Sequence, residues 1–597
     1  ESWDKNRYQI AAYVTRVQEI WLGGNHELKA GVEFTRDRND WNWWRKDSMY
    51  WQWNRGSPYY FGNTTAADVK TYGLPANAVG VGYSLVGAYI CGPNEGDNPV
   101  ADIGTHFAAF LQDSMTIANR LTLNVGLRFD YASLDKPDMK MGTAGNPMIV
   151  WLGDNVVKPY TAKTYPTVFP QGINPWLAAE APDWKGVIKW NNLAPRIGLT
   201  YDLFGNGKTA LKAFAGRYVD YLSLRFALAV TAFDPGWSWR LYWFDLDKNK
   251  GLDKTDAYWV YPYDFRKQDP AYVLKVMDPN IKAPYTDEVT LGISHELTRN
   301  VFVGLNYHYK TKKNIWQRSY WIPDTEEWWY HWDQPATKKW YVPFTTIVPG
   351  IGNYPDRQVT VYLRKTNAPA YFYRGTNLPE LSSKYQGLEF IFNKRMSDGW
   401  QFSGSVVYSK AYGNLGGTYN ETAGWTGSGT LPNWYTNRDG RQSIDRPLAI
   451  KLMGSVELRY GIILSAYYRY FSGAPWGRTA SIRPPASWCA ANNALREYVS
   501  VYIEPIDTRR NRGTNVIDFR IEKEFSLKRF GRLGAYLDVL NLLGYNDVSV
   551  GQNDVYQYNP SAENVSEPAN RTLNSAYKLI TGVSGQRTLR VCLRYSF

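Results

Sequence analysis

The run DLDKNKGLDKTD, at residues 245–256, has the spacing of a cation site. Asp245, Asp247, Asn249, Asp253 and Asp256 fall at positions 1, 3, 5, 9 and 12 of an EF-hand-type loop, and Gly251 offers a main-chain carbonyl at position 7. Oxygen ligands in that rhythm suit calcium, a hard cation. Two residues depart from the pattern: Lys250 stands where the turn wants glycine, and Asp256 replaces the usual bidentate glutamate. A solvated polar loop is the competing reading.

Other reactive residues are sparse. Cys91, Cys489 and Cys592 show no CxxC spacing. Cys91 and Cys489 both fall in segments assigned below to an oxidising, extracellular side, so a disulfide between them is predicted. There are five histidines and no GxSxG, HExxH or phosphate-binding loop. His106, His295 and His308 lie on or beside predicted strands, where a lumen hydrogen bond is the expected role. Glu326 and Glu327 read as solvated loop charge. Catalysis finds no support.

Aromatic residues make up 16% of the chain, including 26 Trp and 46 Tyr. They crowd three segments: WNWWRKDSMYWQWNRGSPYYF (41–61), GWSWRLYWFD (236–245) and EEWWYHWDQPATKKWYVPF (326–344). Trp41, Trp43, Trp44, Trp51, Trp53, Trp237, Trp239, Trp328, Trp329 and Trp332 are therefore candidate ligand- or partner-binding residues. Exposed rings could stack on a glycan or peptide. The alternative, favoured for most of them, is that long loops build miniature cores or meet a partner protein with the same rings.

What positions these segments is a recurrent alternation. LTLNVGLRFDY puts Leu121, Leu123, Val125, Leu127, Phe129 and Tyr131 on one face and Asn124, Arg128 and Asp130 on the other. VFVGLNYHYK and the final RTLRVCLRYSF do the same, the latter with Leu589, Val591, Leu593, Tyr595 and Phe597 on its oily side. Period two over about ten residues is a strand signal, and a tilted strand of that length crosses a bilayer. About fifteen such strands are predicted, near 7–20, 26–38, 104–117, 121–132, 191–203, 208–221, 285–297, 301–316, 383–395, 400–412, 446–458, 461–473, 513–526, 531–543 and 586–597. Tight turns alternate with long connections. This is the asymmetry of an outer-membrane barrel with short periplasmic turns and long extracellular loops.

Composition agrees. Mean hydropathy is −0.46 and no run of eighteen apolar residues occurs, so the chain has no spanning helix. The formal charge of +13 is spread without a basic run of five, so nucleic acid is not an expected partner. The bilayer and lipopolysaccharide are the expected surroundings.

A membrane barrel must close, because an unpaired edge in lipid leaves backbone groups unsatisfied. Fifteen strands ending in the periplasm would begin outside, so residues 1–597 are read as a partial barrel. Seven further strands would give twenty-two, the size of the plugged transporters. The opening ESWDKNRYQI carries neither initiator Met nor signal peptide, as in a processed or truncated chain.

Several phrases then carry a family resemblance: FAAFLQDSMTIANRLTLNVGLRFDY, NNLAPRIGLTYDL, DPNIKAPYTDEVTLGISHELTRNVFVGLNYHYK, SSKYQGLEFIFNKRMSDGWQFSGSVVYSKAYGN, DRPLAIKLMGSVEL, NVIDFRIEKEF and GQRTLRVCLRYSF. In this order they resemble the carboxyl-terminal barrel of TonB-dependent receptors, specifically the Oar-like group. The resemblance implies an all-β, transmembrane antiparallel barrel of twenty-two strands around an amino-terminal plug. It also implies a TonB-box segment coupling that plug to the inner-membrane motor. Neither plug nor TonB box is visible in residues 1–597. The implied function is energised uptake or export of an unidentified ligand. A structural or surface-assembly role, binding other outer-membrane proteins through the aromatic loops, is the alternative, and a passive porin is a third.

Overall fold

The computed structural model describes residues 2–21, 23–42, 49–51, 62–66, 69, 74, 76–89, 100–137, 139–141, 179–181, 184–222, 224, 238–249, 257–260, 277–322, 325–329, 331–350, 354–369, 371–415, 432–544, 547–550, 556–558, 571–573 and 580–597. Fifteen long strands form one antiparallel meander in sequence order. They are β1 (Ser2–Trp21), β2 (Gly24–Asn42), β3 (Val100–Ile117), β4 (Leu121–Lys136) and β5 (Trp184–Asp202). Then come β6 (Thr209–Val219), β7 (Tyr285–Thr298), β8 (Val301–Lys313), β9 (Ser383–Ser397) and β10 (Trp400–Gly413). The last are β11 (Leu448–Leu458), β12 (Ile462–Phe471), β13 (Thr514–Ser526), β14 (Arg532–Leu540) and β15 (Thr588–Ser596). A short strand, Gly440–Arg441, also pairs with β10.

Alternation decides the two faces. Val125 and Leu127 of β4, Ile197 of β5, Leu291 of β7 and Leu305 of β8 are exposed on a single oily surface. Register keeps them there: Ile197 lies opposite Val125, and Leu305 opposite Ile293. A slip of one residue would send every one of these side chains to the polar face. The edge strands show the same pattern, with Ile10 and Val14 of β1 and Leu589, Val591 and Leu593 of β15 all exposed. Among the described residues β1 pairs only with β2 and β15 only with β14.

The turns within hairpins run along one edge of the sheet and are built locally. Between β5 and β6, Asp202 accepts hydrogen bonds from the amides of Gly205 (3.0 Å) and Gly207 (2.7 Å). Those glycines have φ of 72° and 73°, which glycine adopts without strain. Between β9 and β10, the Lys394 ammonium donates to the carbonyls of Ser397 (2.8 Å) and Trp400 (3.0 Å), closing the turn over itself.

The long connections at the opposite edge fold into structure of their own, as loops that build miniature cores must. The connection between β8 and β9 contains the hairpin Tyr341–Val348 with Arg357–Arg364, a helix at Pro335–Trp340, and a sheet of Trp316–Ile322, Glu327–Trp329 and Phe372–Asn377. The connection between β12 and β13 adds the hairpin Thr479–Ile482 with Val499–Tyr502 and the helix Ala486–Ala491. Long loops with this much apolar content fold because they have a core to bury.

Candidate functional site: the polar wall and the loop assembly

The polar face of the sheet is laced by pairs between strands. On β1 and β2, Arg7 forks onto Asp37 with bonds of 2.6 and 3.0 Å. Glu33 of β2 and Asp130 of β4 hold Arg128 between them, each at 2.8 Å. Lys310 meets Glu288 at 3.2 Å across β7 and β8, and Arg469 meets Asp518 at 2.8 Å across β12 and β13. Near the end of the sheet, Asp538 of β14 bridges Arg520 of β13 and Arg590 of β15, each at 2.5 Å. Arg594 stands 3.7 Å from Glu522. Neighbouring strands supply opposite charges in register, so much of the charge on this face pairs within the wall.

The histidines divide. His308 bonds to Thr290 through Nδ1 at 3.1 Å on the polar face, as expected. His106, on the same face, stacks on Tyr221 with centroids 4.0 Å apart, and the Tyr221 hydroxyl donates to Asp37 at 2.8 Å. His295 is a correction. It shares the outward parity of Leu291 and Ile293, so its 2.8 Å contact with Thr209 lies on the oily side of the sheet, near the turn edge.

Above the opposite edge the loops interlock. Phe344, Val348, Val359, Val361 and Leu363 from the β8–β9 connection pack with Ala480, Ile482, Cys489, Val499, Val501 and Ile503 from the β12–β13 connection. A second core joins Ile315, Tyr320, Ile322, Trp329, Tyr341, Leu378 and Leu381 to Leu415, Trp434 and Tyr435 of the β10–β11 connection. Polar ties reinforce both. Arg478 donates to Glu504 and to the Pro355 carbonyl (3.1 Å), which fastens the β12–β13 connection to the β8–β9 connection. Buried Asp445 accepts from the Ala411 amide (2.7 Å) and pairs with Arg441 and Arg510. Arg438 lies against the Trp434 ring, 3.2 Å from its centroid, and faces Tyr502 at 5.0 Å. Burial pulls its pKa down to about 10, and proximity to Tyr502 partly opposes that shift.

The candidate tryptophans therefore play different parts. Trp329 is fully buried and meets Tyr341 edge-on, with centroids 5.7 Å apart. Trp328 lies 6.3 Å from Trp321, and the Arg374 guanidinium sits 4.0 Å from Trp321 and 5.5 Å from Trp328. Trp332 alone of these three is exposed, parallel to Tyr362 at 6.1 Å. Trp41 falls near the end of β2. Trp51 and Trp239 come from two different connections into one five-stranded sheet, where both pair with the strand Gly82–Tyr89. Trp43, Trp44, Trp53 and Trp237 lie outside the described residues.

The calcium run is only partly described. Asp245 is buried, whereas Asp247 is exposed and bonds to Asn249 through the Asn249 amide (3.0 Å) and side chain (2.8 Å). Gly251, Asp253 and Asp256 lie outside the described residues, among which no cluster of three metal-binding side chains occurs. Cys489 is a free thiol packed in the first loop core rather than a bridged one, and burial raises its pKa. Its expected partner, Cys91, lies outside the described residues.

A long antiparallel meander, one oily face, a paired polar face and loops on one side only are what a membrane barrel requires. The outer membrane beta barrel domain model matches residues 1–463. The chain belongs to the outer-membrane β-barrel family. Over 587 residues it is 22% identical to the TonB-dependent transporter Oar of Myxococcus xanthus, a match covering 91% of this chain and 44% of that protein. The chain spans less than half the length of this curated relative. Solved structures similar to it include the siderophore receptor PiuA of Acinetobacter baumannii, at 9% identity and a TM-score of 0.46, with 99% of this chain and 56% of that one covered. The ferric-catecholate import receptor Fiu of E. coli K12 follows at 12% identity and 0.45, covering 100% and 55%. With the family in place, the oily face is the lipid face, the polar face lines a lumen, and the turn edge is periplasmic.

Proposed function

We propose that this chain forms most of the wall of a plugged barrel that moves a ligand across the outer membrane with energy from a TonB-type inner-membrane motor. The observation that carries the reading is the lumen wall, where Arg7–Asp37, Glu33–Arg128–Asp130 and Arg520–Asp538–Arg590 form fixed cross-strand pairs. Charge held in pairs leaves hydrogen-bonding surface for a folded plug, without the strong net field that would trap one. A barrel of twenty-two strands left open would leak solutes, so a plug and a TonB box in the full-length protein belong to the same proposal. Lipopolysaccharide is the proposed neighbour of the lipid face at the loop edge.

A structural or surface-assembly role is the second reading, and one feature favours it. The β8–β9, β10–β11 and β12–β13 connections share buried cores, a rigid platform on which another envelope protein could rest. Epistasis separates the two readings. Cells lacking the full-length receptor, the motor, or both should show one common growth defect if transport is the role. A receptor-deletion defect that is absent from motor-deficient cells, with partner proteins lost from the surface, would favour assembly.

A further inference from the structure

Seven short turns join the strands into hairpins along the periplasmic edge: 22–23, 118–120, 203–208, 299–300, 398–399, 459–461 and 527–531. Together they hold six basic residues, Arg120, Lys208, Arg299, Arg459, Lys528 and Arg529, against one acid, Asp398. The whole chain has 68 basic and 55 acidic residues, so the excess in the turns is far above its average. All six basic residues are exposed and among the described residues none forms an ion pair, although Arg120 donates to the carbonyls of Asp202 (3.2 Å) and Leu203 (3.0 Å).

Exposed rings stand beside them. Phe204, Tyr460 and Phe530 are 67%, 85% and 61% exposed, each in a turn that also carries a basic residue. The Arg529 guanidinium lies 4.8 Å from the centroid of the Phe530 ring. Tyr460 has a φ of 67°, a strained conformation for a bulky residue, at the apex of its turn. A ring held there against local backbone preference needs surroundings that reward it.

We propose that this edge is a phospholipid-binding rim: its basic side chains hold the phosphates of anionic phospholipids in the inner leaflet of the outer membrane, and its rings lie among the headgroups. Rings that are oily on one side and wet on the other favour that depth, and basic residues beside a membrane are drawn to anionic lipid. Spacing favours lipid over a protein partner. The charges are spread one or two per turn over five hairpins, which stand about 10 Å apart where adjacent, at two strand spacings each. That distribution matches a ring of small, repeated ligands better than one compact docking face. The inference depends on outer-membrane residence and not on transport.

The test is native mass spectrometry of the full-length protein in mild detergent, offered equal phosphatidylglycerol and phosphatidylcholine. Wild type should retain phosphatidylglycerol over phosphatidylcholine by about tenfold, because several cations act together. A variant combining Arg299→Gln, Arg459→Gln, Lys528→Gln and Arg529→Gln should lose most of that preference. A control with Lys313→Gln, Lys338→Gln and Lys339→Gln at the loop edge should keep it. Heat-modifiable gel mobility establishes that each variant is folded. Equal retention of the two lipids by wild type would overturn the proposal, as would an unchanged preference in the turn variant or an equal loss in the control. A turn variant that keeps its lipid preference but no longer binds peptidoglycan or a periplasmic protein would assign the rim to that partner instead.

Discussion

Arg478 and Glu504 face each other with both side chains fully buried, the guanidinium Nε 3.0 Å from one carboxylate oxygen. The Arg478 amide donates to the other oxygen at 2.7 Å, and Arg509 approaches the same carboxylate. A buried pair is costly to desolvate and survives when hydrogen bonds surround it, as here. It sits beneath the hairpin Thr479–Ile482 with Val499–Tyr502, so it locks the β12–β13 connection rather than the barrel.

Removing the acid should therefore loosen the loops alone. Glu504→Ala leaves Arg478 buried without its carboxylate, a loss of about 3–5 kcal/mol in such settings. Hydrogen exchange should speed up across 474–512 and in the contacting 341–364 hairpin, with the barrel strands unchanged. Barrel melting that falls in step with the loops would contradict this.

The tryptophans offer a contrast within one segment. Trp329→Ala empties a fully buried site and should cost the loop assembly about 3–5 kcal/mol. Trp332→Ala, on an exposed ring, should cost under about 1 kcal/mol. Limited proteolysis of the connection between β8 and β9 reads both. If Trp332 proves the more damaging, the division into core and surface rings is wrong.

Glu497 gives the loops a pH dependence. Burial raises its carboxyl above the usual range, and Arg364 offsets part of that shift. The folded loops hold the proton more tightly than the unfolded chain does, so the contribution is stabilising at low pH. It should fade as pH rises from the ordinary carboxylate range through the raised value. Glu497→Gln should flatten this slope, measured as protease resistance between about pH 4 and 7. A slope identical in the variant would assign the effect elsewhere.

The last strand permits a test of facing. Val591→Arg places a charge on the lipid face and should weaken folding into lipid vesicles by about 2–4 kcal/mol near the midplane. Cys592→Arg, one residue along, points into the lumen and should cost far less. Reversal of that order would mean that β15 is turned over.

The strands were legible because lipid on one side and water on the other impose a period of two, visible within ten residues. Leu121 to Tyr131 and Leu589 to Phe597 declare their faces without help from the rest of the chain. Strand ends were less legible: β1 and β5 begin several residues before the predicted 7 and 191, since a ladder can extend beyond the bilayer without the oily alternation. That the ring-rich loops build cores was legible in their composition, but which residues meet was not. Val361 and Val499 share one core although more than a hundred residues separate them, and no local pattern announces it. Trp329 and Trp332 have the same type and neighbourhood in sequence, and only packing separates anchor from surface. The charged wall was half-legible. Alternation alone puts Arg128 on the polar face, but its partner Glu33, and the bridging of Arg520 and Arg590 by Asp538, emerge only with the register.

Accessibility of the lumen in living cells tests the transport account most directly. Single cysteines replacing Asn124 and Asn306 on the lumen face, with Val125 and Leu305 as lipid-face controls, would be introduced into the full-length protein carrying Cys91→Ser, Cys489→Ser and Cys592→Ser. Each would then be exposed to a water-soluble, membrane-impermeant maleimide. The account predicts labelling at the lumen positions in cells with an active motor, a drop to background when the motor is inactivated, and no labelling at the lipid-face positions in either case. Equal lumen labelling with and without the motor would contradict energised gating and leave a passive pore in its place.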